Sequence, residues 1–135
     1  MSGALLLLML GLGLGLAGCG ESKQRSVASG INAETARWAK EQGFAGNKDA
    51  LAGAKLFAES GCASCHTYLG GGSSKLGAPD LSAEGAKGKG VPAQVEFLRC
   101  PTCIHPGSAM SPFKALGNEN LRQIAVFLEA SKGKQ

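Results

Sequence analysis

Residues 61–71 read GCASCHTYLGG. Cys62 and Cys65 are separated by two residues, and His66 follows the second cysteine directly. Three chemistries use such a set: thioether attachment of a haem, thiolate ligation of zinc, and a disulfide. A second pair, Cys100 and Cys103, stands in CPTCIH, with one extra residue before His105.

In an exported protein C-x-x-C-H reads as c-type haem attachment. Each sulfur adds to one haem vinyl, the vinyls sit on neighbouring pyrroles, and one turn of chain reaches both. The histidine after the second cysteine then lies beneath the iron as an axial ligand. Iron in electron-transfer haems of this type takes Met or His on its other side. Beyond residue 18 the chain holds one methionine, Met110, and one histidine besides His66, namely His105. Both fall in HPGSAMSPF, where a thioether is poorly explained as core filling.

The pair in CPTCIH has four readings. A local disulfide between Cys100 and Cys103 is allowed outside the cytoplasm and open to redox exchange. Two thiols, buried or free, are the second. A second haem is opposed by the broken spacing and the lack of a spare axial ligand. In the fourth, Cys62, Cys65, Cys100 and Cys103 would form a four-thiolate zinc set, across a gap longer than zinc ribbons show.

The compartment is set by the N-terminus. ALLLLMLGLGLGLAG over residues 4–18 is uncharged and apolar, with the length of a signal-peptide core and short for a membrane span. It ends in Leu16-Ala17-Gly18-Cys19, which resembles a bacterial lipoprotein signal. That resemblance implies cleavage before Cys19 and a diacylglycerol on its sulfur, with several acyl chains giving stable anchoring. The opening MSGA carries no Lys or Arg, unlike most signal peptides. An uncleaved membrane anchor is the other reading.

Elements that could position the cysteines follow. GESKQRSVASG from residue 20 to about 30 reads as a polar tether. Asn32 is an expected cap for a short helix, AETARWAKEQ, with Trp38 as a packing residue. In NKDALAGAKLFAES, Asn47 is the expected N-cap and Gly61 the stop, with Leu51, Ala54 and Phe57 on one side. Residues 69–90 form a long loop, a length that usually has a function or wraps something. Val91–Arg99 forms a short helix with Pro92 in its first turn. NENLRQIAVFLEAS ends the chain with a stripe of Leu121, Ile124, Ala125 and Leu128. Lys132 and Lys134 suit its C-terminal dipole. No strand alternation stands out, so the class is all-α. Net charge is +4 with no dense basic run, which does not suggest nucleic acid. Asp49, Asp80 and Glu84 are scattered and read as solvated charge. Lys55, Lys75 and Lys114 read as general surface, with a cationic rim for an acidic partner as the sharper alternative.

From about Leu51 to Ser131 the chain resembles a class I monohaem cytochrome c domain. Gly53 and Phe57 match the family's glycine and aromatic on the first helix; CASCH follows, then GAPDL, then HPGSAMSPF, then a C-terminal helix bearing Phe127. The resemblance implies three to five helices wrapped with long loops around one covalent haem c. It implies that Cys62 and Cys65 attach the haem, that His66 and Met110 ligate its iron, and that the Pro79 carbonyl accepts the His66 ring proton. It also implies Phe127 packed near Gly53 and Phe57.

The chain thus divides into a signal peptide over 1–18, a lipid-attached tether and short helix over 19–46, and a cytochrome c domain over 47–133. The expected function is electron transfer between respiratory-chain components, with a membrane complex or oxidase as partner. The domain would lie outside the cytoplasm, at the outer face of the cytoplasmic membrane or in the periplasm. With both axial positions filled there is no open site for a small-molecule substrate and no enzymatic activity. His105 in place of Met110 would give bis-histidine ligation. A haem sensor or peroxidase-like protein with a labile sixth ligand, and a zinc or disulfide module built on the two pairs, are the alternatives.

Overall fold

The computed structural model describes residues 21–133, with side chains from residue 28. Five α-helices follow in order: α1 Glu21–Gln42, α2 Lys48–Glu59, α3 Val91–Arg99, the single turn α4 Pro101–Ile104, and α5 Asn118–Ala130. Thr67–Tyr68 (β1) and Gly71–Gly72 (β2) pair antiparallel, Thr67 opposite Gly72 and Tyr68 opposite Gly71. The molecule is therefore a small, mostly helical domain, as expected.

α1 corrects the reading of the N-terminal segment. The stretch read as a tether is helical from Glu21, and Asn32 lies inside the helix instead of capping it. No apolar stripe marks residues 21–30, but Glu, Lys, Gln, Arg and Ala are good helix formers. Packing nucleates the other end, where Thr35, Trp38, Ala39 and Gln42 are buried. Gly43, at φ 74°, stops the helix, and the Phe44 amide closes the turn on the Ala39 carbonyl at 2.9 Å.

α2 starts where its cap predicts: Asn47 Oδ1 accepts from the Ala50 amide at 3.1 Å. Its buried face is Ala50, Gly53, Ala54 and Phe57, while Leu51 is only half-buried. Gly61, left-handed at φ 78°, turns the chain directly into a 3₁₀ turn at Cys62–Ser64. α5 buries Leu121, Ile124, Ala125, Phe127 and Leu128.

α2 and α5 cross at Gly53. A Cβ there would lie 1.9 Å from the Gln123 carbonyl oxygen and 2.8 Å from the Phe127 Cβ, so only glycine permits this approach. Phe57 and Phe127 meet with ring centroids 5.4 Å apart, and Trp38 stands edge-on to Phe57 at 5.9 Å. Tyr68 completes the cluster at 4.9 Å from Phe127. Its hydroxyl bonds Ser131 Oγ at 2.6 Å, and Ser131 Oγ in turn donates to the Phe127 carbonyl. Tyr68 is thus a core residue whose hydroxyl has an internal partner.

The long loop is tied down at several points. Gly85, in a 3₁₀ turn at Glu84–Lys87, lies so close to α5 that a Cβ would meet the Glu129 carbonyl oxygen at 2.1 Å. Gln42 donates to the Ser82 carbonyl at 2.8 Å and accepts from the Lys132 amide at 3.0 Å. Lys132 also reaches the Gly85 carbonyl, while Lys134 lies outside the described residues.

Candidate functional site

The turn after α2 presents Cys62, Cys65 and His66. Cys62 is buried, Cys65 and His66 are half-buried, and neither cysteine is in a disulfide. The His66 amide bonds the Cys62 carbonyl at 2.9 Å, so one tight turn carries all three side chains. Burial pushes the Cys62 thiol up to about 11, with the nearby Cys65 adding to the rise and a backbone hydrogen bond opposing it. The chain without haem therefore holds Cys62 as a neutral thiol at pH 7.

His66 Nδ1 lies 2.9 Å from the Pro79 carbonyl oxygen. With Nδ1–H donating there, Nε2 is left as the nitrogen able to bind a metal. The segment bearing that carbonyl is itself fastened to β1. Leu81 N donates to the Thr67 carbonyl at 3.0 Å, Thr67 Oγ1 donates to Asp80 Oδ2 at 2.6 Å, and Leu69 N donates to Ser82 Oγ at 2.7 Å. Burial favours the neutral acid of Asp80, but hydrogen bonds from Thr67 and Ser82 outweigh it and hold the carboxyl below its ordinary range. Asp80 is exposed yet anchors this loop; the reading of it as plain solvated charge missed that.

Met110 lies in the irregular segment before a 3₁₀ turn at Lys114–Leu116. It is half-buried and packs against the core. The Phe113 amide bonds the Leu98 carbonyl at 2.9 Å, returning this segment to α3. His105 is exposed, and its ring stands edge-on to Phe97 at 5.7 Å.

These residues share one cavity of about 760 Å³. Cys62, Cys65, His66, Pro79, His105 and Met110 all line it, among apolar side chains that include Phe57, Leu81, Leu98 and Ile124. The volume is within the range of small-molecule and cofactor sites. A largely apolar pocket with two unpaired cysteine sulfurs, an imidazole fixed by its far nitrogen and a thioether fits a haem.

The cavity wall also holds Glu84 and Gln94, each only 3% exposed. Glu84 accepts from Lys87 at 2.6 Å, Lys89 at 2.8 Å and Gln94 at 3.3 Å. Burial drives its carboxyl up, but those donors win and hold it below its usual value. Sequence reasoning had Glu84 as a solvated charge and did not single out Gln94, Lys87 or Lys89. Their shared lysine-rich stretch is a faint signal at best. Of the three lysines considered for a rim, Lys75 lines the cavity, Lys55 pairs with Glu59 at 3.8 Å, and Lys114 lies outside the lining. Asp49 is bound to Arg122 at 2.9 Å.

Cys100 and Cys103 are joined by a disulfide, with Cα atoms 5.3 Å apart. That removes the four-thiolate zinc set. Among the described residues, no group of three or more His, Cys, Asp or Glu is gathered as a metal would need. Cys19 lies outside the described residues. No described helix is long and apolar enough to cross a membrane.

A family model for cytochrome c matches residues 50–132. Searches of curated proteins and of solved structures returned no match. The match spans more than half of the chain and all of the site, and the chain therefore belongs to the cytochrome c family, whose members carry covalent haem c for electron transfer and are mostly not enzymes.

Proposed function

We propose that this chain is a monohaem c-type cytochrome, tethered to the outer face of the cytoplasmic membrane by a lipid on Cys19, that shuttles electrons between respiratory-chain components. Cys62 and Cys65 hold the haem through thioethers. His66 and Met110 would ligate its iron, and the Pro79 carbonyl would fix the His66 tautomer and orientation. The haem supplies a one-electron iron couple, and the apolar walls exclude water from it. Held by both side chains, the iron would have no open site for a substrate, and the protein would serve as an electron carrier.

The observation that carries this reading is the single cavity of about 760 Å³ lined by Cys62, Cys65, His66 and Met110. Met110 is favoured over His105 because it packs against the core, whereas His105 is exposed against Phe97. Its half-buried thioether needs no desolvation of a charged or strongly hydrated group to reach the iron.

The test is an alkaline pyridine haemochrome spectrum on protein matured with a c-type haem-attachment system, after acid–acetone extraction. Haem that stays with the protein, with the band of a haem whose two vinyls are saturated, is expected. Extractable haem, or a colourless protein, would overturn the attachment. Mass spectrometry of the membrane-extracted protein tests the lipid: a mature N-terminus at Cys19 carrying acyl mass is expected.

A further inference from the structure

The disulfide Cys100–Cys103 has no part in the haem chemistry above. It closes a loop of very few residues, so it constrains the unfolded chain far less than a long cross-link would. It joins no two distant elements either: Cys100 caps α3, and Cys103 lies in the next turn, α4. Its contribution to holding the fold is therefore small.

What it does hold is the start of the segment that carries both candidate iron ligands. The Cys103 amide bonds the Cys100 carbonyl, the His105 amide the Pro101 carbonyl at 2.8 Å, and the Ser108 amide the His105 carbonyl at 2.9 Å. The Met110 amide donates to Ser108 Oγ at 3.2 Å. This ladder runs from the disulfide to Met110, and His105 along it stands edge-on to Phe97. The far end is fixed separately, through Phe113 and Leu98.

The disulfide is also reachable. Cys103 is exposed and Cys100 half-exposed. Ile104, beside Cys103, is 51% exposed, so no neighbouring side chain covers this turn.

We propose that Cys100–Cys103 is a thiol–disulfide exchange site, reduced by a dithiol protein, and that its reduction frees His105 to displace Met110 from the iron. In the first step a partner thiolate attacks Cys103 Sγ, the S–S bond breaks, and Cys100 leaves as a thiolate that takes a proton. The partner's second thiolate then attacks the mixed disulfide, and Cys103 leaves and is protonated. Two electrons and two protons pass to the cysteine pair, and the partner becomes a disulfide. The ladder above then loses its covalent clamp. The exchange itself stands on the disulfide alone; the ligand change rests on the haem reading.

The experiment uses the full haem-loaded protein. It is treated with reduced thioredoxin, alkylated with iodoacetamide, and its iron reoxidised with ferricyanide. Alkylation is read by peptide mass and ligation by the near-infrared charge-transfer band of ferric iron. Label on Cys100 and Cys103 but not on Cys62 or Cys65 is expected, with loss of most of the Met-type band and its replacement by a bis-histidine band. Label on all four cysteines would mean failure of haem attachment, a separate result that overturns the ligand half. No label in native protein, at a thioredoxin concentration that reduces the urea-unfolded chain fully, would overturn the exchange. Label with an unchanged Met-type band would overturn the coupling. His105→Ala keeps the disulfide and serves as control: after the same treatment it must show no bis-histidine band.

Discussion

Gly53 on α2 faces the backbone of Gln123 on α5 so closely that a Cβ at position 53 would come 1.9 Å from the Gln123 carbonyl oxygen. The obstacle is main chain, which cannot rotate away, and Phe127 Cβ closes the other side at 2.8 Å. Gly53→Ala must push the two helices apart, and with them Phe57 and Phe127. The expected cost is about 3 kcal/mol, at the upper end for overpacking. Guanidinium unfolding of the haem-loaded protein checks it, and Ala52→Gly is the control for helix propensity, expected to cost about 1 kcal/mol. A Gly53→Ala cost no greater than the control's would mean that the crossing is looser than the structure describes.

Asp80 holds the loop whose Pro79 carbonyl meets His66. Its carboxylate accepts from Thr67 Oγ1 at 2.6 Å and from the Ser82 amide at 2.8 Å. Asp80→Ala removes both acceptors, with an expected loss of about 1–2 kcal/mol. The more telling readout is the His66 ring N–H proton by NMR. It should exchange faster with solvent in Asp80→Ala, because the carbonyl that protects it is less firmly placed. Unchanged exchange would mean that the backbone bond from Leu81 to Thr67 suffices.

The stability of the Glu84 cluster depends on pH in a fixed direction. Hydrogen bonds from Lys87, Lys89 and Gln94 lower the folded-state carboxyl below the ordinary value, against the opposing push of burial. A lowered folded value means that the stabilisation is fully present above the unfolded carboxylate value of about 4.3. It is lost as pH falls through the folded value. Glu84→Gln should therefore cost about 2 kcal/mol at neutral pH, discounted because both lysines are half-exposed. The gap between variant and wild type should shrink as pH drops below the carboxylate range. Thermal unfolding from neutral to acid pH reads this directly, and a gap that widened in acid would reverse the sign of the argument.

How much of this was legible in the sequence follows from which contacts are local. α2, α3 and α5 declare themselves through Asn47, Pro92 and the Leu121–Leu128 stripe, since caps and periodicity act within a few residues. The cysteine–histidine turn is local as well. α1 was misread because its first ten residues carry propensity without an apolar pattern, and the packing that sustains the helix sits at its other end. Gly85 is one of several glycines in the 69–90 loop, and nothing local sets it apart. Its meaning is its approach to Glu129, far along the chain. Glu84 with Gln94, and Gln42 with Ser82 and Lys132, are likewise pairings that no spacing rule encodes.

Met110 decides what kind of haem protein this is. On the proposed ligation, Met110→Ala takes the thioether from the iron, and His105 is the next donor lining the cavity. The parent is expected to exclude carbon monoxide in the reduced state and the single variant to bind it, unless His105 fills the gap; the double variant Met110→Ala/His105→Ala removes that escape and is expected to bind it. Met110→His should keep the site closed but lower the reduction potential, because methionine ligation raises it. His105→Ala alone should leave both carbon monoxide exclusion and potential as they are. Spectroelectrochemical titration with optical spectra under carbon monoxide measures the parent and the four variants. A parent that already binds carbon monoxide would turn the reading toward a sensor or peroxidase-like protein with a labile sixth ligand. A rise in potential on His105→Ala, with no drop on Met110→His, would make His105 rather than Met110 the residue that sets the iron's environment.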